Sequence, residues 1–592
     1  MALQVFAAAT RGNELKSAFR QFAGALTAVA VFSGIVNILG LTGSLYMLQV
    51  YDRVMPSHSV PTLVGITIIA VFLYAVYGLL DFVRLRLLVR IGNALDQKLH
   101  GKAFAASLLL PLSAGQEGSR IQPIRDLDQI RSFVSGSGPT AFFDLPWIPF
   151  YLVIIYMLHP SLGLLATLGA VVIVLLTLVA EGLARAPSRR ASESIVARTS
   201  CSDAGRRNAE VIRAMGLSNR FGRLWSEQSL RFLQDQRRVF DVIGATGALS
   251  RTFRMMLQSL MLGLGAYLVM AGEASSGVII ASSIMLGRSL APVDVALANW
   301  KGFISARRSY EQLSRTLNAF FEQRQPMALP RPQHTLSVEG LTVTAPGQQN
   351  ALIQNVSFTL QAGTGLGVIG PSASGKSTLV RSIVGAWPSL RGTVRLDNAA
   401  LEQWDPEALG RDIGYLPQAI ELFDGTVAEN ICRFDRDADP KDILAAARTA
   451  GIDRMILRLA DGFQTRIGEG GSALSAGQRQ LVGLARALYG EPFLVVLDEP
   501  NSNLDADGDV ALAAAIQGVR QRGGIVIVVA HRPSALANLD QVLVMAGGTL
   551  QAFGPKEEVL ASITRPSVHT QQPAAHAALR QTSTVVPLHD RK

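Results

Sequence analysis

Nine consecutive residues, Gly370-Pro371-Ser372-Ala373-Ser374-Gly375-Lys376-Ser377-Thr378, have the spacing G-x-x-x-x-G-K-[ST]. The chemistry of that spelling is phosphate binding. Glycines let the backbone bend until successive N–H groups face phosphate oxygens. The Lys376 ammonium then reaches the β- and γ-phosphates, and the Ser377 hydroxyl is a ligand for Mg²⁺. Further groups follow in an order that suits hydrolysis. Gln418, after Tyr415-Leu416-Pro417, is placed to meet Mg²⁺ and the attacking water. Leu474-Ser475-Ala476-Gly477-Gln478-Arg479-Gln480 opens a helix, whose N-terminus is a second anion site. Asp498 suits the Mg²⁺, and Glu499 beside it suits a general base that polarises water. Ser502-Asn503-Leu504-Asp505 follows, and His531 is placed to sense the γ-phosphate.

Such groups need a scaffold. Gly367-Val368-Ile369 is a short apolar strand before the loop, and Ser377 to Val384 opens a helix behind it. Phe493 to Leu497 is an apolar strand running into Asp498-Glu499-Pro500, and Ile525 to Ala530 is another that ends at His531. Residues 336–339 and 351–360 alternate as strands do. The α/β patterning continues to Ile563, which bounds a nucleotide-binding domain at 336–563. Pro326, Pro330 and Pro332 mark residues 319–335 as a linker. Residues 564–592, rich in Pro, Thr, Gln, His and Ala, read as a disordered tail.

The first half is of a different kind. Of the 592 residues, 49% are hydrophobic and only 17% charged, too oily for an ordinary soluble enzyme. Residues 21–51 carry no formal charge, and a helix needs about 20 apolar residues to cross a bilayer. A second run, 59–80, follows a polar turn from Asp52 to His58. Residues 145–180 hold two antiparallel spans broken at His159-Pro160, and 255–270 with 275–286 form a last pair around Gly272-Glu273. The expectation is a six-span domain over 21–318, preceded by a cytoplasmic segment, 1–20, without a signal peptide. Arg84, Arg86, Arg90, Lys98 and Lys102 crowd one inter-span loop, and Arg185, Arg189, Arg206, Arg213 and Arg220 another. Positive loops stay in the cytoplasm, so both termini are expected there. The net charge of +10 is then mostly topology, and a nucleic-acid partner loses its support. Asp203 to Trp225 reads as a helix followed by a turn at Met215-Gly216. Charges also sit in or beside spans. Asp144 precedes Leu145-Pro146-Trp147, Arg251 and Arg254 mark the start of span five, and Arg288 and Asp294 are expected to line a translocation path. Cys201 and Cys432 support neither a disulfide framework nor a zinc site.

The motif set of 336–563 resembles the nucleotide-binding domain of an ATP-binding cassette (ABC) transporter. Six spans ahead of it resemble the exporter arrangement. Three stretches narrow the resemblance to type I secretion system ABC proteins, the alkaline-protease exporter (PrtD-like) subgroup above all. These are Leu45-Tyr46-Met47-Leu48-Gln49-Val50-Tyr51-Asp52-Arg53-Val54 followed by Ser59-Val60-Pro61-Thr62-Leu63, Phe143-Asp144-Leu145-Pro146-Trp147, and Asp498 through Asp505. The implied fold is a membrane α-helical bundle of the six-span ABC exporter type fused to an α/β P-loop domain. The implied cofactors are ATP and Mg²⁺. The resemblance implies a homodimer that sandwiches ATP between Gly370 to Thr378 of one chain and Ser475, Ala476, Gly477 and Gln478 of the other. Asp505 joins that ATP-binding set. Glu499, His531 and Gln418 are the implied catalytic residues, and Ser377, Gln418 and Asp498 the implied metal ligands. Met215-Gly216-Leu217 would fall in a coupling helix near Gln418.

The implied activity is ATP-driven export of unfolded polypeptides carrying an uncleaved C-terminal signal, from the bacterial inner membrane. A membrane fusion adaptor and a TolC-type outer-membrane duct are the implied partners, with membrane lipid around the spans. With about 20 residues before span one, no N-terminal peptidase-like domain is expected. Two positions depart from the pattern. Ala476 stands where glycine is common, and Ala345 where many exporters have an adenine-stacking aromatic. An exporter of lipids or amphipathic small molecules would share the same engine. A soluble cassette ATPase of DNA maintenance is at odds with the uncharged spans.

Overall fold

The computed structural model describes residues 14–320, 329–530 and 536–564. The chain divides into two compact units, Met1–Leu109 with Arg120–Gln323 and Leu110–Ser119 with Arg324–Lys592. His531 and the tail from 565 onward lie outside the described residues.

In the first unit six helices are long and apolar enough to cross a membrane. They run Ala23–Ser57, Val60–Gly115, Gly138–Leu158, Pro160–Arg207, Ser218–Met270 and Ser276–Phe320. Four of them have 45 to 56 residues. At about 1.5 Å per residue they reach roughly 70–85 Å, more than twice a hydrocarbon core of about 30 Å. The basic stretches between spans are thus continuations of the membrane helices. Leu162, Ala166, Leu257, Met261, Met285 and Leu286 are buried in one cluster where spans three to six pack. An amphipathic helix, Glu14–Gln21, lays Leu15 and Ala18 against Leu95, Leu99, Leu313 and Leu317.

One reading of this half needs correction, and two charged residues gain partners that the sequence did not show. The stretch from Asp52 to Ser57 is helical, not a turn, and its Val50–Val54 part is a π-helical segment. The chain turns at His58, in left-handed conformation at φ 49°. Asp52 instead reaches the last outer turn, where its carboxylate accepts from the Ser275 hydroxyl at 2.6 Å and the Gly277 N–H at 2.8 Å. Arg84 is not a free loop charge. It is 6% exposed and donates to the Ser33 hydroxyl at 3.0 Å, to Asp144 at 2.9 and 3.1 Å and to Asp81 at 2.7 Å. Asp294, expected beside a translocation path, is paired: Arg254 of the preceding helix forms a two-pronged ion pair with it. Arg288 and Arg251 are exposed, and the Arg288 guanidinium lies 5.8 Å from the Tyr77 ring. The helix and turn expected between 203 and 225 are present as Ala209–Ala214 and a left-handed Gly216 at φ 63°.

The second unit has two sheets. An antiparallel one contains β1 (Thr335–Thr344), β2 (Ala351–Gln361), β4 (Arg391–Leu396) and β5 (Ala399–Ala400), in the order β2-β1-β4-β5. The other contains β3 (Gly365–Ile369), β6 (Ile413–Leu416), β7 (Leu494–Asp498), β8 (Ile525–Val529), β9 (Gln541–Ala546) and β10 (Thr549–Pro555). Its order is β10-β9-β3-β8-β7-β6, parallel except at β9–β10. Strands β7 and β8 are buried throughout, which is why they read as unbroken apolar runs. Parallel strands end together, and ligands of such sheets bind beyond the carboxyl ends. Val368 pairs with Val529, Asp498 with Val529, and Leu416 with Leu497. The residues that follow β3, β6, β7 and β8 therefore emerge along one edge.

Candidate functional site

The loop at 370–375 leaves β3 at that edge. Gly370 has φ 150°, and a side chain there would meet the Met545 carbonyl at 2.1 Å. Ala373 adopts φ 63° and Gly375 φ 98°, so the loop coils back before the helix Lys376–Ile383. The Lys376 ammonium curls over it and donates to the carbonyls of Gly370 and Pro371, both at 2.9 Å. Burial pushes the Lys376 pKa below its ordinary value, against the opposing pull of Glu499 and Asp498. Among the described residues no carboxylate pairs directly with Lys376; the two carbonyls hold the ammonium, and Glu499 and Asp498 act on its charge from further away.

Across the strand, the Ser377 hydroxyl donates to Asp498 at 3.3 Å. Asp498 is 1% exposed. Burial pushes its carboxyl above the usual carboxylate range; the Ser377 hydrogen bond opposes this and the Glu499 charge adds to it. Among the described residues its second oxygen, and the buried Ser374 hydroxyl in the loop, have no hydrogen-bond partner. Two orphaned oxygens at a phosphate loop, one a carboxylate, match what a hard cation with bound phosphate would satisfy. Glu499 is half-buried and sits in left-handed conformation at φ 52°. Its N–H donates to the Val529 carbonyl at 3.1 Å, fixing the backbone turn at the end of β7. Gln418 is exposed two residues beyond β6, on the same edge.

The stretch expected to form a second anion site is separate. Ser475 caps the helix Ala476–Leu488 through a capping box: its hydroxyl accepts from the Gln478 N–H at 3.3 Å and its N–H donates to the Gln478 side chain at 2.9 Å. Ser475 and Ala476 are exposed. Among the described residues no hydrogen bond joins Ser475–Gln478 to the 370–378 loop. Asp505 is used as the N-cap of the helix Ala506–Gln521, its Oδ1 accepting from the Gly508 N–H at 2.8 Å. Two side chains were given no role from the sequence, although Gln480 lies within the helix-opening motif. Gln480 is buried on the inner side of the helix that Ser475 caps and bonds to the loop after Glu499. Arg433, at φ 57°, donates to the carbonyls of Gly410, Ile413, Arg486 and Ala487.

The comparisons with known proteins agree with this geometry. A family model described as ABC transporter matches residues 353–502, and one described as ABC transporter transmembrane region matches 25–289. The type I secretion system ATP-binding protein PrsD of Rhizobium meliloti (strain 1021) is 52% identical over 564 residues, covering 95% of this chain and 97% of that protein. The chain belongs to the ABC transporters of type I secretion systems. As such it is a multi-pass membrane protein with an ATPase domain. The leukotoxin translocation ATP-binding protein LktB of Mannheimia haemolytica is 29% identical over 544 residues, covering 90% of this chain and 75% of its own length. Among solved structures, a bacterial Atm1-family ABC exporter with ATP bound matches at TM-score 0.79 and 19% identity, over 92% of this chain and 96% of that one. At that identity the likeness supports the ABC exporter fold, and nothing about cargo.

Proposed function

We propose that this ABC transporter exports unfolded polypeptides with a C-terminal secretion signal, as the inner-membrane ATPase of a type I secretion system. The observation that carries the reading is the 52% identity to a secretion ATPase that runs through the membrane unit as well as the nucleotide unit. Cargo choice must reside in the membrane unit, because the engine is shared with exporters of other substrates. Both termini are cytoplasmic in this reading, in line with the basic helix extensions.

ATP binds with its phosphates on Gly370 to Thr378. Lys376 exchanges its carbonyl partners for the β- and γ-phosphate oxygens. Ser377 and Asp498, with Gln418, hold Mg²⁺, which neutralises phosphate charge when bound. Glu499 takes the proton of the attacking water, and His531 reads the γ-phosphate. Ser475, Ala476, Gly477 and Gln478 close the site of a second copy, which accounts for their separation from the loop of their own chain. The homodimer works with an adaptor protein and an outer-membrane duct of TolC type.

The test is ATPase rate of the purified transporter in lipid nanodiscs, with and without the C-terminal peptide of a candidate secreted protein. A change with the intact peptide and none with a scrambled one is the expected result. Indifference to every such peptide, beside strong modulation by lipid, would move the reading to lipid export.

A further inference from the structure

Gln480 is 1% exposed and lies one turn inside the helix that Ser475 caps. An amide side chain offers two donors and two acceptor sites. Here all four are used on one target, the loop that follows β7. The Gln480 amide nitrogen donates to the Glu499 carbonyl at 3.4 Å and to the Pro500 carbonyl. Its oxygen accepts from the Asn503 N–H at 3.0 Å and the Ser502 hydroxyl at 3.5 Å. The donors face carbonyls and the acceptor faces an N–H, so the orientation of the amide is set by its partners. A second observation points the same way. A side chain at Gly477 would come within 2.9 Å of the Asn503 carbonyl, so helix and loop touch along their length.

The target is the loop whose first residue, Glu499, holds an unfavourable left-handed backbone. Such a conformation persists only where neighbours over-determine it. The Glu499 N–H is held by Val529, and its carbonyl by Ser502 and Gln480. We propose that Gln480 is a positioning residue for hydrolysis: it clamps the Glu499–Asn503 loop to the Ser475 helix, so that the helix end facing one ATP and the base acting on the other move as one piece. This rests on the reading of Glu499 as the general base. Gln480 itself touches neither ATP nor water.

The experiment compares wild type, Gln480→Leu, Gln480→Glu and Glu499→Gln as full-length protein in nanodiscs, measuring kcat, KM for ATP, ATP-binding capacity and the pH profile. Leucine keeps the volume and loses all four bonds. We expect kcat to fall roughly 10–100-fold, the loss a small misplacement of a catalytic group causes, with KM and binding capacity within about twofold, the pattern of an interaction felt in the transition state. An ionised glutamate cannot donate to either carbonyl, whereas a protonated one has a single O–H and restores one of the two bonds. The deficit of Gln480→Glu relative to wild type should therefore shrink as pH falls, while that of Gln480→Leu stays constant. Unchanged kcat in both variants would overturn the proposal, and so would a loss of kcat matched by an equal loss of binding capacity, which means less folded protein. Wild-type turnover in Glu499→Gln would instead overturn the reading of Glu499, and the proposal with it.

Discussion

Two buried cations, Lys376 in the nucleotide unit and Arg84 in the membrane unit, are equally hidden, at 5% and 6% exposure. Their partners differ. Arg84 is neutralised by Asp144 and Asp81, and Asn37 adds a further bond to Asp144 at 2.8 Å. Its charge is spent on joining the first three spans. Lys376 has only the carbonyls of Gly370 and Pro371, with two carboxylates near enough to act on its charge. A carbonyl dipole is a weak substitute for an anion, and in the proposed reading Lys376 exchanges it for phosphate. Burial alone does not distinguish a structural cation from a working one; the identity of the counter-group does.

If that contrast is right, substitutions at the two places fail in different ways. The largest effect belongs to Lys376→Ala. ATPase rate should fall by at least about 10²-fold, the scale of losing a charge that stabilises the transition state, with membrane insertion and thermal unfolding unchanged. Unfolding that drops along with the rate would make Lys376 structural after all. Next is Asp144→Ala, which takes from the buried Arg84 guanidinium its more buried carboxylate partner and leaves it with Asp81. It should destabilise the membrane unit by about 3–5 kcal/mol, seen as earlier loss of detergent-resistant folded protein, while nucleotide binding persists. Undiminished thermal stability would break the comparison on the Arg84 side.

A sharper version removes both charges. Arg84→Leu with Asp144→Leu should cost much less than either single change, since an apolar pair of similar volume can replace a buried ion pair at little cost. Equal or additive losses would mean that these charges do more than hold helices. The smallest effect is at Asp397, which accepts from the N–H groups of Gln333, His334 and Thr335 where the chain enters the nucleotide unit. Burial alone would raise its carboxyl, but these three bonds outweigh it and hold the pKa below the usual range. The unfolded chain then takes up its proton first as pH falls. The stabilisation is complete above about pH 4 and fades as pH drops through the folded pKa. Asp397→Asn should cost about 1–2 kcal/mol at pH 7, with the gap to wild type narrowing in acid. A gap that widens in acid would reverse the sign.

Much of the nucleotide unit could be read from the chain because its groups are grouped in sequence. The loop and its helix are neighbours from Gly370 to Thr378, and the buried strands announce themselves as apolar runs at 494–497 and 525–529. The six apolar helices were legible for the same reason, hydropathy being a local sum. The boundary of the first outer turn was not. Asp52 and Arg53 look like turn residues, yet they are helical, and Asp52 is satisfied by a helix start more than 220 residues away. The linker reading was also too broad at its end. Arg331 pairs with Asp412, and residues 333–335 are pinned by Asp397, so the chain is already part of the sheet unit there.

By itself, then, the sequence determined the phosphate chemistry, the number of apolar helices and the kind of protein, because each depends on residues adjacent in the chain or on their summed polarity. Only the tertiary structure decided which charges are consumed in holding helices together and which stay free for ligand. It joined Arg84 to Asp144, Arg254 to Asp294, and Gln480 to the loop after Glu499. These pairings depend on how distant helices and strands rotate and pack against one another. A buried polar group must find a partner wherever the packing supplies one, and no spacing along the chain records where that will be.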